Sequence, residues 1–200
     1  DLLVKDAHSS GRNILPASLP EPVQLIRSWS GDPLCMVEEL DGGFDAVAMA
    51  GYHSGAGFGG NPLAHTISGK VFRLLINGVP ISEFLLHSLA AAELGVPTVF
   101  ISGDSLLCKD AKTARPGIHT VATNTGKGAA TTSIHPARAV AAIRSGMEAA
   151  LKDEAARALP QLSDRYEIEL WYEQNEDAYA ASFYPGASLY APHAVRFGTD

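Results

Sequence analysis

Phe44-Asp45-Ala46-Val47-Ala48-Met49-Ala50 is the stretch on which the fold turns. It reads as one apolar run, the pattern of a parallel strand covered on both faces. The run leads straight into the glycine-rich segment Gly51–Gly60, and His53 follows it by three residues. Downstream, Val71–Ile76 is an expected strand that ends in the tight-turn pair Asn77-Gly78. Ser82–Leu94 has a helical apolar face, with Ser82 placed to cap its start and Gly95 to close its end. Pro97–Ile101 is a second buried strand, closed by Ser102-Gly103-Asp104, and Ile118–Ala122 a third. Pro136 to about Ala158 is expected as the longest helix, opened by a proline in its first turn.

Upstream, Asp1–Asp6 reads as a short strand, followed by a turn-rich loop over Ala7–Pro22, a strand at Val23–Ile26 and a short helix at Pro33–Leu40. Towards the other end, Tyr166–Tyr172 alternates like a half-exposed strand, and one more is expected around Ala194–Phe197. Strand–helix–strand alternation predicts one α/β domain over residues 1–200, with a mostly parallel central sheet flanked by helices. In such sheets ligands sit beyond the carboxyl ends of the strands. Polar residues that follow strands are therefore the candidates for function.

Length and composition bound what the chain does. Its 200 residues are 46% hydrophobic and 18% charged, which is globular and not disordered. The apolar runs are too short to cross a bilayer, and the first residues carry no signal-peptide core. Fifteen basic residues against 22 acidic ones give a net charge of −7 with no basic cluster, which argues against a nucleic-acid partner. Cys35 and Cys108 form no CxxC pair and fit a reducing, cytoplasmic setting.

Two histidines stand just after strands: His8 after the first and His53 after Phe44–Ala50. Glu83 lies in the first turn of the Ser82 helix, and His65 in the loop beyond the glycines. Two histidines and a carboxylate suit zinc, although the spacing is too long for a local motif. Taken singly, each has an ordinary reading as a surface histidine or as a carboxylate favoured by a helix dipole. Gly55-Ala56-Gly57-Phe58-Gly59-Gly60 spells G-x-G-x-x-G after a strand, so a nucleotide-binding oxidoreductase is the alternative. Against it, Asn61-Pro62 follows where the third glycine should open a helix. Thr123–Gly128 lacks the phosphate-loop spacing and reads as a loop or turn. With no G-x-S-x-G elbow and no catalytic setting for either cysteine, a covalent nucleophile is disfavoured. A non-catalytic α/β assembly subunit is the third class.

Six pieces then occur in one order: Val4-Lys5-Asp6-Ala7-His8, Phe44 to Gly51-Tyr52-His53, Ala64-His65-Thr66, Ile76-Asn77-Gly78-Val79-Pro80-Ile81-Ser82-Glu83, Pro97 to Gly103-Asp104, and Ser133-Ile134-His135-Pro136-Ala137-Arg138-Ala139. As an ordered set over nearly the whole chain, they resemble the DppA-type D-aminopeptidases, a family of zinc metallopeptidases. The resemblance implies a two-zinc site in a ring-shaped, decamer-like homo-oligomer that removes N-terminal D-residues from short peptides. It implies metal-ligand roles for His8, His53 and Glu83 and a catalytic role for His65. Such metals would supply an activated water for the scissile carbonyl, and a neighbouring histidine would serve the oxyanion or leaving amine. The family's D-x-E-G motif, whose aspartate bridges the metals, has no counterpart here, nor has its last helix. The chain is therefore expected to be one piece of a longer peptidase. Apolar residues such as Leu15, Leu19, Trp29 and Phe58 are expected at the surface, in keeping with self-association.

Overall fold

A computed structural model describes residues 1–199. Its elements run β1 (Leu2–Lys5), β2 (Val23–Ile26), β3 (Val47–Tyr52), β4 (Val71–Ile76), β5 (Val79–Pro80), α1 (Glu83–Glu93), β6 (Thr98–Asp104), α2 (Ser105–Ala114), β7 (His119–Lys127), β8 (Ala130–Ser133), α3 (Pro136–Ala150), β9 (Tyr166–Tyr172), α4 (Asn175–Ala181), β10 (Ser188–Ala191) and β11 (Ala194–Thr199). The architecture is mixed α/β.

A four-stranded sheet, ordered β3-β6-β7-β8, forms the centre. Its first three strands are parallel, and β8 returns antiparallel from β7. Every residue of β6 is buried, as a strand covered on both faces requires. On one side Ile101 packs with Met49, Phe84, Ala91 and Leu107. On the other, Val99 and Phe100 pack with Ala150, Ile143 and Met147 of α3. The expectation of a mostly parallel central sheet holds here, with β8 as the antiparallel edge.

The other large sheet departs from it. A second, five-stranded sheet, β10-β11-β9-β4-β5, is antiparallel throughout. Its Leu74 and Ile76, with Ile81 just beyond β5, pack on Leu85, Leu86 and Leu89 of α1, with Ile168 and Leu170 beside them. Helix α1 thus lies between two sheets, and Leu85 belongs to both cores. A helix covered on opposite sides is apolar nearly all round, which is why its sequence reads Phe-Leu-Leu-His-Ser-Leu-Ala-Ala-Ala with little polar stripe. Strands β1 and β2 pair in parallel as a third, separate sheet.

Several local expectations move. Pro33–Leu40 forms no α-helix; two 3-10 turns stand there, Cys35–Val37 and Leu40–Gly42. Cys35 at φ 55° and Glu39 at φ 65° are left-handed, and each interrupts helical propagation. Thr123–Gly128 is no free loop: residues 123–127 belong to β7, and Gly128 turns the chain at φ 58°. The longest helix stops at Ala150, and Glu154–Arg157 is a separate 3-10 turn. Of the apolar residues expected at the surface, Leu15 and Trp29 are exposed, while Leu19 and Phe58 are half-buried. No helix among the described residues is long and apolar enough to cross a membrane.

Candidate metal centre

The site begins at the carboxyl end of β3. Asn77 at φ 50° and Gly78 at φ 76° make the tight β4–β5 turn, which brings the chain to Ser82. There the Ser82 hydroxyl accepts from Leu85 N–H at 3.3 Å and caps α1. Glu83 is the next residue, so its carboxylate sits in the first helical turn, where backbone N–H dipoles favour negative charge. Its side chain is almost wholly buried, and Oε1 accepts from the Ile67 backbone N–H at 2.7 Å.

The glycine loop folds against that helix end. Gly55 lies so close that a Cβ there would stand 2.9 Å from Ser82 Cα. Thr66, buried beneath, accepts from Ala56 N–H at 2.9 Å and donates to Ile81 C=O at 3.3 Å. Those two bonds fix the ends of the 56–66 loop, and His65 is held next to the carboxylate. After Gly60 the chain turns through Asn61–Ala64 without opening a helix, so the dinucleotide geometry is not formed.

His53, His65 and Glu83 converge. One ligand atom from each lies within 4.8 Å of the others, and among the described residues these three make up that group. His53 Nε2 stands 3.9 Å from Glu83 Oε2, and His65 Nε2 stands 3.6 Å from Glu83 Oε1. The two imidazole centroids are 4.4 Å apart. Each ring is oriented through its other nitrogen. His53 Nδ1 lies 3.0 Å from Ser54 C=O and His65 Nδ1 lies 2.7 Å from Leu63 C=O. A carbonyl only accepts, so both Nδ1 atoms carry a proton, and in the neutral imidazoles it is the Nε2 lone pairs that face the carboxylate. The rings differ in access: the His53 side chain is 18% exposed and that of His65 is 41%.

Two nitrogens and a carboxylate oxygen are the donors zinc prefers. Atoms that each lie about 2.0–2.2 Å from one ion stand about 3.5 Å apart, close to the gaps seen here. Histidines anchored to carbonyls through the opposite nitrogen are the usual form of a zinc ligand. The donor set therefore fits the metal. Nearby, burial and then the Glu83 charge push the Tyr52 phenol well above its ordinary pKa, and its hydroxyl donates to Met36 Sδ at 3.6 Å. Burial likewise raises the thiols of Cys35 and Cys108, which are both free, and neither is an activated nucleophile.

His8 is placed otherwise. It is exposed on the turn after β1, and its carbonyl accepts from Gly11 N–H at 2.8 Å and from the Asn13 amide at 2.5 Å. Because β1 pairs with β2 and β3 with β6, His8 and His53 do not follow neighbouring strands of one sheet. Asp6, two residues earlier, is spent on the same turn, accepting from Asn13 N–H at 2.5 Å and Ile14 N–H at 2.7 Å. His119 pairs with Asp153 at 2.8 Å, and His135 caps α3 through Ala137 N–H at 3.2 Å.

Reasoning from sequence overlooked the groups that hold the ligands: the Ile67 amide, Ser54 and Asp104. Asp104 had a signal. It precedes Ser-Leu-Leu-Cys-Lys-Asp-Ala, where Leu107, Cys108 and Ala111 fall on one helical face, so Asp104 reads as the N-cap of α2.

Such a fold, with a two-histidine and carboxylate cluster beside a strand end, belongs to the class of α/β metal-dependent hydrolases. Comparison with known proteins narrows this. Residues 1–200 match the family described as D-aminopeptidase, and the chain belongs to that family. It is 29% identical over 194 residues to a D-aminopeptidase of Bacillus subtilis (strain 168), spanning 94% of this chain and 69% of that one. Among solved structures it resembles the Zn-dependent D-aminopeptidase DppA from Bacillus subtilis, described as a self-compartmentalizing protease. The TM-score is 0.91 at 26% identity, covering 98% of this chain and 72% of the other.

Proposed function

We propose that this chain is a zinc-dependent aminopeptidase that hydrolyses N-terminal D-residues from short peptides, with His53 and Glu83 as zinc ligands and His65 as a catalytic residue. The observation that carries it is the convergence of two imidazole Nε2 atoms on one buried carboxylate, each ring anchored through its Nδ1. Membership of the D-aminopeptidase family supports the substrate class. The neighbour's zinc dependence supports the metal.

A zinc ion held there supplies a Lewis acid and an activated water at neutral pH. The residues divide the remaining work. Glu83 brings the negative charge that offsets the cation, from a helix start whose backbone N–H dipoles favour an anion. His53, less exposed and anchored to Ser54, is the fixed ligand. His65 is more exposed and sits on the loop facing solvent, from which its Nε2 lone pair can take a proton from the attacking water and then hand it to the departing amine.

A second reading has its own observation: His65 Nε2 is as close to Glu83 as His53 Nε2 is, which makes His65 a third ligand. Metal analysis with peptide hydrolysis separates the two. In the catalytic reading, His65→Ala keeps its zinc and loses about 100-fold in kcat, while His53→Ala loses the zinc itself. Loss of zinc from His65→Ala makes it a ligand. Unchanged zinc and unchanged kcat makes it a bystander.

A second ion, with His8 among its ligands, is part of the proposal and rests on the family resemblance. So does the placing of residues 1–200 as one α/β domain of a longer peptidase, in which the bridging carboxylate comes from outside these residues. Assembly into a ring of copies is supported by the neighbour's self-compartmentalizing description. A cytoplasmic setting is supported by two unpaired cysteines.

A further inference from the structure

We infer that the end of β6, Ser102-Gly103-Asp104, is the template that aims the His53 imidazole, with Asp104 as its principal positioning residue. The inference rests on the reading of His53 as a ligand and concerns what holds it. Three consecutive residues each fix a different part of the segment Gly51–Ser54. The β3–β6 ladder slips there: Met49 faces Ile101 and Tyr52 faces Gly103, so β3 carries one extra residue. That extra residue is a bulge, a device that re-aims the next side chain.

Gly51, at φ 79°, takes up the distortion, and its N–H donates to Ser102 Oγ at 3.1 Å instead of to the ladder. Gly103 lets the bulged strand close in. A Cβ on Gly103 would stand 2.2 Å from Tyr52 C=O, closer than any side chain permits. Asp104 then grips Ser54, the residue after His53. Its Oδ2 accepts from Ser54 N–H at 2.6 Å, and its Oδ1 accepts from the Ser54 hydroxyl at 2.6 Å and from Leu107 N–H at 2.9 Å. Asp104 is fully buried and Ser54 nearly so. The Ser54 carbonyl, fixed by that grip, is the acceptor for His53 Nδ1–H. The chain of contacts thus runs from a strand end through one carboxylate to the tautomer and direction of a ligand. Partners of this kind commonly set metal affinity by roughly 10- to 100-fold.

Asp104 also caps α2, and a cap alone would be a purely structural role. Asp104→Ser separates the two, because serine still caps a helix but is too short to hold both Ser54 groups. Two readouts on the full chain apply. Ring nitrogen-15 NMR of the metal-free protein reads the His53 tautomer without any zinc. Competition against a chelating dye reads zinc affinity.

Wild type is expected to show His53 protonated at Nδ1, and Asp104→Ser a mixture of both tautomers, with zinc bound about 10-fold more weakly or worse. Ser54→Ala, which removes one of the two grips and does not disturb the cap, is expected to move both readouts the same way by less. If Asp104→Ser fails to fold, Ser54→Ala decides. Wild-type tautomer and affinity in the folded variants overturn the inference. Absence of zinc binding in wild type overturns the ligand reading instead, and the tautomer measurement still decides the positioning.

Discussion

His53, His65 and Glu83 act together because each has its second polar atom already satisfied, by Ser54 C=O, Leu63 C=O and Ile67 N–H respectively. The same economy governs Glu38, which is buried and pairs with Lys5 Nζ at 2.5 Å while accepting from the Ser30 hydroxyl. The Lys5 bond, then the Ser30 bond, hold its carboxyl below the usual range. A depressed folded pKa means that the unfolded chain binds the proton more readily. The stabilisation is therefore present above the ordinary glutamate pKa of about 4.3 and is lost as pH falls through the lowered value. Thermal melts from about pH 7 to pH 3 should show that loss in wild type, and Glu38→Gln should flatten it. An identical acid limb in the variant would remove Glu38 from the account.

At the scale of elements, β3, β4, β6, β9 and α1 are legible from their sequences. Apolar runs, alternation, a serine cap and an Asn-Gly turn are local signals, and the elements appear near their expected bounds, except that β3 begins only at Val47 and, as an edge strand with Ala48 and Ala50 exposed, is not covered on both faces as the run Phe44–Ala50 suggests. The antiparallel pairing of β4 with β9 is not legible, because it joins segments nearly a hundred residues apart with no turn between them to set the register. For the site, Glu83 and His53 are legible as residues beside a helix start and a strand end. Their anchors are not, since a backbone amide such as that of Ile67 leaves no trace in residue type. Packing of α3 on β6 gives a prediction of its own. Gly146 stands mid-helix, where alanine normally adds about 1 kcal/mol. Here its Cβ would lie 2.7 Å from Phe100 Cε2 and 3.0 Å from Val121 Cγ2, and Phe100 is fully buried with nowhere to move. Overpacking of this sort costs about 1–3 kcal/mol. Gly146→Ala should therefore lower the Tm, by net destabilisation of about 1 kcal/mol; a rise in Tm would show that α3 can shift off the sheet.

For the molecule as a whole, two sheets share α1, and the helix start that they trap between them is where the carboxylate stands. Helix α4 and the segment that follows it, packed beside the outer sheet, carry exposed aromatic residues, with Tyr179, Phe183 and Tyr184 all more than half exposed. Such a surface, with the self-compartmentalizing character of the structural neighbour, leads to an expected multimer of the complete protein. Multi-angle light scattering should give a mass several times that of one chain, and a monomer across the working concentration range would remove assembly from the account. The central claim is that His53 and Glu83 hold zinc. Anomalous diffraction at the zinc edge from zinc-loaded crystals tests it most directly. The account predicts a peak about 2.0–2.2 Å from His53 Nε2 and from a Glu83 carboxylate oxygen. A zinc peak that avoids both residues, or no peak in their vicinity at full loading, would contradict it.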